Sequence, residues 1–149
     1  MSYLFDASSI MNIIRYLKKD AAKVLRDNYV LDLTVYEVGN SIWKEAVLLK
    51  HLMESDALTM YKDMLKIFSH MNIIKPKDPE LVLGLAIKIK STYYDAAYVV
   101  TASEEGLTLV TDDKRLIKKI NDNRREIIDL LHKDVVVKSS DAFIGGSRQ

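Results

Sequence analysis

Short apolar runs alternate along this chain with longer stretches in which apolar residues recur every third or fourth position. Tyr3-Leu4-Phe5, Tyr29 to Leu33, Asn72-Ile73-Ile74, Leu107 to Val110 and Val135-Val136-Val137 are the short runs; each predicts a strand, and the first a buried one. Between the first two, Ile10, Ile13, Ile14 and Leu17 keep helical spacing behind Ser8 or Ser9 as a cap, and Ala21 to Leu25 add a turn or two. Thr34 opens a long helix through Val38, Ile42, Trp43 and Val47. From about Ala57 to Ser69 a further helix would carry Leu58, Tyr61, Leu65 and Phe68 on one apolar face, toward the core or a partner. Asp78-Pro79-Glu80, a cap, a proline at the first helical position and an acid in the first turn, starts the next. Its residues from Leu81 to Ile89 are apolar nearly all round, so this helix is either deeply buried or faces a partner. Residues 92–105 form a helix ended by Gly106, and Lys114 to Ile120 another. Ile127 to Leu131 fits helix and strand equally, and the tail from Gly145 is expected to fray. Strands alternating with helices predict an α/β domain with a parallel sheet covered on both faces.

Composition narrows this picture. At 149 residues the chain is expected to be one domain, 1–149, with a sizeable core. A net charge of +1 leaves no global basic field, so nucleic-acid contact would need local patches. The lack of Cys excludes disulfides and thiolate chemistry. No basic leader opens the chain and no apolar run is long enough for a membrane span, so a cytoplasmic protein is expected.

The acidic residues carry the chemistry. Asp6, Glu37, Asp95 and the pair Asp112–Asp113 each follow a strand-like run or open a helix-like one. In open α/β sheets those positions meet at one edge, where ligands bind. Each acid also has a structural role available. Thr34 to Glu37 and Thr92 to Asp95 have the form of capping boxes, and Asp112 and Asp113 suit a first helical turn. Asp6 at a strand end has no such excuse. Together the acids would repel unless a cation neutralised them, and an all-oxygen set suits Mg²⁺ or Mn²⁺ rather than zinc. That chemistry points to phosphate esters.

Four short segments then resemble, in order, the motifs of PIN-domain nucleases, most closely the VapC-type toxins of VapBC toxin–antitoxin pairs. They are Phe5-Asp6-Ala7-Ser8, Tyr36 to Lys44, Tyr94-Asp95-Ala96-Ala97-Tyr98, and Leu109 to Leu116 with its Thr-x-Asp. The resemblance implies a three-layer α/β/α domain with a mainly parallel sheet of four to five strands. It implies a site of Asp6, Glu37, Asp95 and Asp113, with Asp112 the alternative to Asp113. Asp6, Asp95 and Asp113 would hold the metal, and Glu37 a second metal or the attacking water. Thr111 and Ser8 would position ligands or phosphate. The implied reaction is hydrolysis of RNA to a 5′-phosphate and a 3′-hydroxyl, by a homodimer with a small antitoxin partner.

Lys114, Arg115, Lys118 and Lys119 follow the last motif, with Arg124 and Arg125 beyond, and either bind RNA phosphates or form a solvated helix face. Tyr93, Tyr94 and Tyr98 either stack on bases or belong to the core. His51, His70 and His132 show no metal-ligand spacing. Two rivals remain: a non-catalytic RNA- or protein-binding α/β module, and another Mg²⁺-dependent phosphoesterase. A dehalogenase-like phosphatase would carry Asp where Ser8 stands.

Overall fold

Alternation of side chains across each strand decides the layering. The structure, a computed structural model, describes residues 1–145. Strands β1 (Tyr3–Phe5), β2 (Tyr29–Leu31), β3 (Asn72–Ile74), β4 (Thr108–Val110) and β5 (Val137–Lys138) form one sheet in the order β3-β2-β1-β4-β5. Every pairing is parallel. Successive residues point to opposite faces, so Leu4, Leu31 and Leu109 enter one apolar cluster while Phe5, Val30 and Val110 enter another. The central strands β2, β1 and β4 are covered on both faces, which is why they read as continuous apolar runs, whereas Asn72 and Ile73 of the edge strand β3 are exposed.

On the Phe5 face pack α1 (Ala7–Leu17), α2 (Ala21–Leu25), α3 (Asp32–Trp43), α4 (Glu54–Ser69) and the short α9 (Asp141–Ile144). On the Leu4 face pack α5 (Pro79–Ile89), α6 (Tyr93–Glu105), α7 (Lys114–Asp122) and α8 (Arg124–Leu131). This is the three-layer α/β/α architecture with a parallel five-stranded sheet that the sequence predicts.

Several local expectations are corrected. The second strand stops at Leu31 and α3 begins at Asp32, so Thr34 lies inside the first turn, where its hydroxyl accepts the Leu31 amide at 3.1 Å. The last strand is Val137–Lys138, and Val136 is exposed. Helix α4 turns Met64 and Phe68 inward, with Ala57, Met60, Tyr61 and Ile67 beside them, and leaves Leu58 and Leu65 exposed. Two apolar stripes compete on that helix, and the longer one, continued by buried Met71, wins. Ile127 to Leu131 is helical, in α8. Helix α5 buries Val82, Leu85, Ala86 and Ile89 but exposes Leu83 and Ile87, so it has one core face and one open face. The expected fraying from Gly145 falls, beyond Gly145 itself, outside the described residues.

From β1 the chain steps through β2 to β3 on one side of the sheet, and β4 and β5 occupy the other. The strand order therefore reverses between β1 and β4, and in such folds the crevice beyond the carboxyl ends of those strands is where ligands bind. Phe5 lies in register with Val110, and the Asp6 amide donates to the Val110 carbonyl at 3.1 Å. Asp6 and Thr111 thus leave the sheet side by side.

Candidate active site

Asp6 ends β1 and caps α1, a double role that corrects the expectation of a strand end with no helix to serve. Its Oδ1 accepts the Ser9 amide at 2.9 Å and the Ser8 hydroxyl at 2.8 Å, and its Oδ2 accepts the Thr111 hydroxyl. Ser9 in turn donates its hydroxyl to the Val110 carbonyl at 2.9 Å, tying the helix start to β4. Only 6% of Asp6 is exposed. Burial pushes its carboxyl above the ordinary range, against the pull of the Thr111, Ser9 and Ser8 hydrogen bonds.

Glu37 stands on α3, past the first turn, and does not close the capping box its spacing had offered. Its Oε1 accepts the Tyr98 hydroxyl at 2.5 Å, and Tyr98 is held at 2.6 Å from the Thr34 hydroxyl. The direction of this relay follows from proton counting. The Thr34 oxygen already accepts from the Leu31 amide, Thr34 gives its one proton to Tyr98, and Tyr98 gives its one proton to Glu37. Glu37 is raised by burial first, and further by the charges of Asp6, Asp95 and Asp113, against the Tyr98 hydrogen bond. Asp95 lies in the first turn of α6, whose N-cap Thr92 accepts the Asp95 amide at 3.0 Å. Burial raises it, as does the charge of Asp113, while Arg115 pulls it down.

Asp113 and Asp112 part company. Asp113 caps α7, its Oδ1 accepting the amides of Arg115 at 3.0 Å and Leu116 at 3.2 Å, and its charge acts on both Glu37 and Asp95. Asp112 is tied up elsewhere. Its Oδ2 accepts from Asn12 at 2.7 Å and its Oδ1 from the Ser140 amide at 2.8 Å, so it fastens the end of β4 to α1 and to the start of α9. Thr111 is fully buried and also accepts the Asp113 amide at 3.0 Å, while Ser8 accepts the Asp112 amide at 3.0 Å. The charges of Asp6, Asp95 and Asp113 therefore all act on Glu37, and that of Asp113 also on Asp95. Glu37 comes from the layer on one face of the sheet and Asp95 from the other.

Residues 3–123 match the family model of the PIN domain. The chain belongs to the PIN-domain family. It is 33% identical over 119 residues to "Exonuclease VapC9" of Pyrobaculum aerophilum, covering 80% of this chain and 86% of that protein. To "Ribonuclease VapC3" of the same organism it is 32% identical over 132 residues, covering 80% of this chain and 95% of that protein. Among solved structures, that of PAE2754 from Pyrobaculum aerophilum matches with a TM-score of 0.73 at 26% identity, covering 99% of this chain and 96% of that one. A toxin–antitoxin complex from Klebsiella pneumoniae shares the fold, with a TM-score of 0.53 at 24% identity over 76% of this chain and 88% of that one.

The chemistry of the donor set in this PIN domain fits a hard divalent cation. The cluster is all carboxylate, and burial first, then the charge of neighbouring acids, raises Glu37 and Asp95. Among the described residues no three His, Cys, Asp or Glu side chains form a ready-made metal cage. Mg²⁺ suits such a spread set, because it keeps several waters and takes further oxygens from substrate phosphates.

The raised carboxyls set the sign of a pH effect. A carboxyl whose folded-state pKa lies above its unfolded value favours folding while protonated, and that contribution is lost as pH rises through the folded value. Neutralising Glu37 should remove this loss. In EDTA, the melting temperature of Glu37→Gln is expected to gain on that of the wild type from about pH 4, where unfolded Glu titrates, toward neutrality. Scanning fluorimetry across that interval checks it; a gap that stays constant with pH contradicts the assignment.

Sequence reasoning missed three groups here. Asn12 fixes Asp112, the Tyr98–Thr34 pair fixes Glu37, and Lys90 joins Arg115 on the border of the site. Asn12 and Thr34 had a legible signal, polar side chains on otherwise apolar helix faces. Lys90 had none, since only the tertiary fold brings it to α7. The histidines stay out of the cluster, and His51 pairs with Glu45 at 2.9 Å.

Proposed function

We propose that this PIN domain is a metal-dependent endoribonuclease, acting over residues 1–149 as one domain. The observation that carries the proposal is the convergence of Asp6, Glu37, Asp95 and Asp113 where the strand order reverses, with Glu37 feeling the charge of the other three. The printed names of two relatives, an exonuclease and a ribonuclease, support nucleic-acid hydrolysis.

Asp6, Asp95 and Asp113 would hold Mg²⁺ or Mn²⁺ directly or through water. Such an ion, when bound, neutralises the cluster and polarises the phosphoryl oxygen. The residues of the chain do the rest. Tyr98 fixes Oε1 of Glu37, which leaves Oε2 to orient the attacking water and accept its proton. Attack in line with the P–O3′ bond breaks that bond, the departing O3′ takes a proton from solvent water, and a 5′-phosphate and a 3′-hydroxyl remain. Thr111 and Ser8 hold the Asp6 carboxylate in one orientation, so its geometry is set before substrate arrives. Asp112, with both oxygens engaged by Asn12 and Ser140, serves as a structural tether.

The VapC resemblance extends the reading to the toxin of a toxin–antitoxin pair, acting in the cytoplasm as a homodimer restrained by a small antitoxin. Among the described residues no helix is long and apolar enough to cross a membrane. Two open apolar faces support protein partners: Leu83 and Ile87 on α5, and a groove of about 430 Å³ between α3 and α4 lined by Trp43, Leu58 and Tyr61.

The test is cleavage of a mixed RNA pool by purified protein with Mg²⁺, with Mn²⁺ and with EDTA. Cleavage to internal fragments that EDTA abolishes is expected. Mononucleotides alone would replace the endonuclease with an exonuclease, and no cleavage with either metal would remove the enzyme reading. Tyr98→Phe, which deletes one oxygen from the relay, is expected to lower kcat about 10- to 100-fold with little change in KM. A rise in KM with kcat intact would show that Tyr98 contacts substrate instead.

A further inference from the structure

Beside the acidic cluster lies a groove of about 440 Å³ between the turn joining α5 to α6 and the outer face of α7. Lys90 enters it from the turn, and Arg115, Lys118 and Lys119 enter it from α7. Lys90 is the C-cap of α5 in left-handed conformation, with φ 57°, and it swings the chain into Ser91 and Thr92 ahead of α6. Spacing on α7 explains the other wall. Arg115, Lys118 and Lys119 follow an i, i+3, i+4 pattern on one face, while Leu116 and Ile120 bury the opposite face in the core.

The chain as a whole has 22 basic and 21 acidic residues, so four cations around one groove are a local concentration. Two carboxylates share the lining. Asp122 is engaged by Lys118 at 2.5 Å, and Asp95 is the acid of the catalytic cluster nearest the groove. The groove therefore opens directly onto the place where a phosphodiester would be cut. Among the lining groups, Lys90, Arg115 and Lys119 have no acidic partner within ion-pair distance among the described residues.

We propose that this groove binds the sugar–phosphate backbone of single-stranded RNA flanking the scissile phosphate, with Lys90, Lys118 and Lys119 neutralising successive phosphates and Arg115 placing the one beside Asp95. The identity of the strand rests on the nuclease reading; the anionic character of the ligand does not. An open channel walled by flexible cations follows a single strand's backbone without reading its bases. A duplex would be met by its shape across a minor groove instead. Sequence preference, where it exists, comes from elsewhere on the protein.

The test is binding of a short labelled single-stranded RNA in EDTA, followed by fluorescence anisotropy across a range of salt. Lys90→Gln, Lys118→Gln and Lys119→Gln are compared with Lys23→Gln and Lys66→Gln, which line a separate hollow between α2 and α4. Each groove variant should bind about five-fold more weakly at about 0.1 M salt, with the salt slope shallower by about 0.7. Lys118→Arg should restore both, and the two distant variants should match the wild type. Unchanged affinity and slope in all three groove variants would overturn the proposal. Polyglutamate displacing RNA as well as unlabelled RNA does would also overturn it and reassign the groove to an acidic protein. Cleavage assays on the same proteins separate the two readings. Weakened RNA binding by the groove variants, with no cleavage by the wild type, keeps the groove and removes the nuclease. Wild-type cleavage with an unchanged KM in all three variants removes the groove alone.

Discussion

Asp95→Asn is expected to lose RNA cleavage by on the order of 10²–10³-fold while melting higher than the wild type in EDTA at neutral pH. The two effects share one cause. Asp95 is held in its half-buried place against desolvation and against the charge of Asp113, with partial relief from Arg115. An amide of the same shape keeps the packing, the Thr92 cap of α6, whose hydroxyl accepts the backbone amide of residue 95, and an oxygen for the Thr92 hydroxyl. It removes the repulsion, and each kcal/mol relieved raises the melting temperature by about 2–4 °C for a domain of this size. It also removes a carboxylate from the site, which is where the activity goes. Cleavage rate and thermal unfolding measured on one preparation check both. Lost activity with a lowered melting temperature would make Asp95 a structural residue and leave the site unassigned.

Asp6 should behave in the opposite way, because it also holds the local fold. Asp6→Ala is expected to destabilise by about 2 kcal/mol at neutral pH. It removes the N-cap of α1, and it leaves the buried Thr111 hydroxyl and the half-buried Ser8 hydroxyl without their acceptor, outweighing the relief of a buried charge. Asp6→Asn should stay near wild-type stability. The introduced amide keeps an oxygen for the Ser9 N–H, and Thr111 accepts from its nitrogen by rotating its hydroxyl. Both variants should be inactive. Urea unfolding of the pair separates the roles: equal stability of Ala and Asn variants would show that Asp6 does not cap α1.

The strand order was not legible in the sequence, but the strands were. Four of the five apolar runs mark strands to within a residue or two: β1, β2 and β4 because a strand buried on both faces has no polar positions to blur its ends, and the exposed β3 because Pro76 follows it. Val135 to Val137 misled, since only Val137 pairs with β4. Boundaries failed where two patterns overlapped. Thr34 resembles an N-cap, yet Leu31 is the N-cap and the helix starts at Asp32, and that shift of nearly one turn frees Glu37 from capping and leaves it to Tyr98. The carboxylates were legible as a set through their positions at strand ends and helix starts. Weighing Asp112 against Asp113 was not, because Asn12 and Ser140, which hold Asp112, lie 100 and 28 residues away. Lys114 likewise adjoined Arg115 in sequence, but the groove beside Asp95 is lined by Arg115.

The bond between Thr111 and Asp6 spans 105 residues of chain. Closing so long a loop comes late and costs entropy until the central strands pair. During synthesis, β1 must wait without its neighbour β4 until the ribosome has released most of the protein. A nascent fragment ending before Thr111 carries Asp6, Glu37 and Asp95 but cannot bring the Asp113 end of the crevice to them. The proposed cutting activity therefore waits on β4: the site is incomplete until residues 108–113 have emerged and paired with β1.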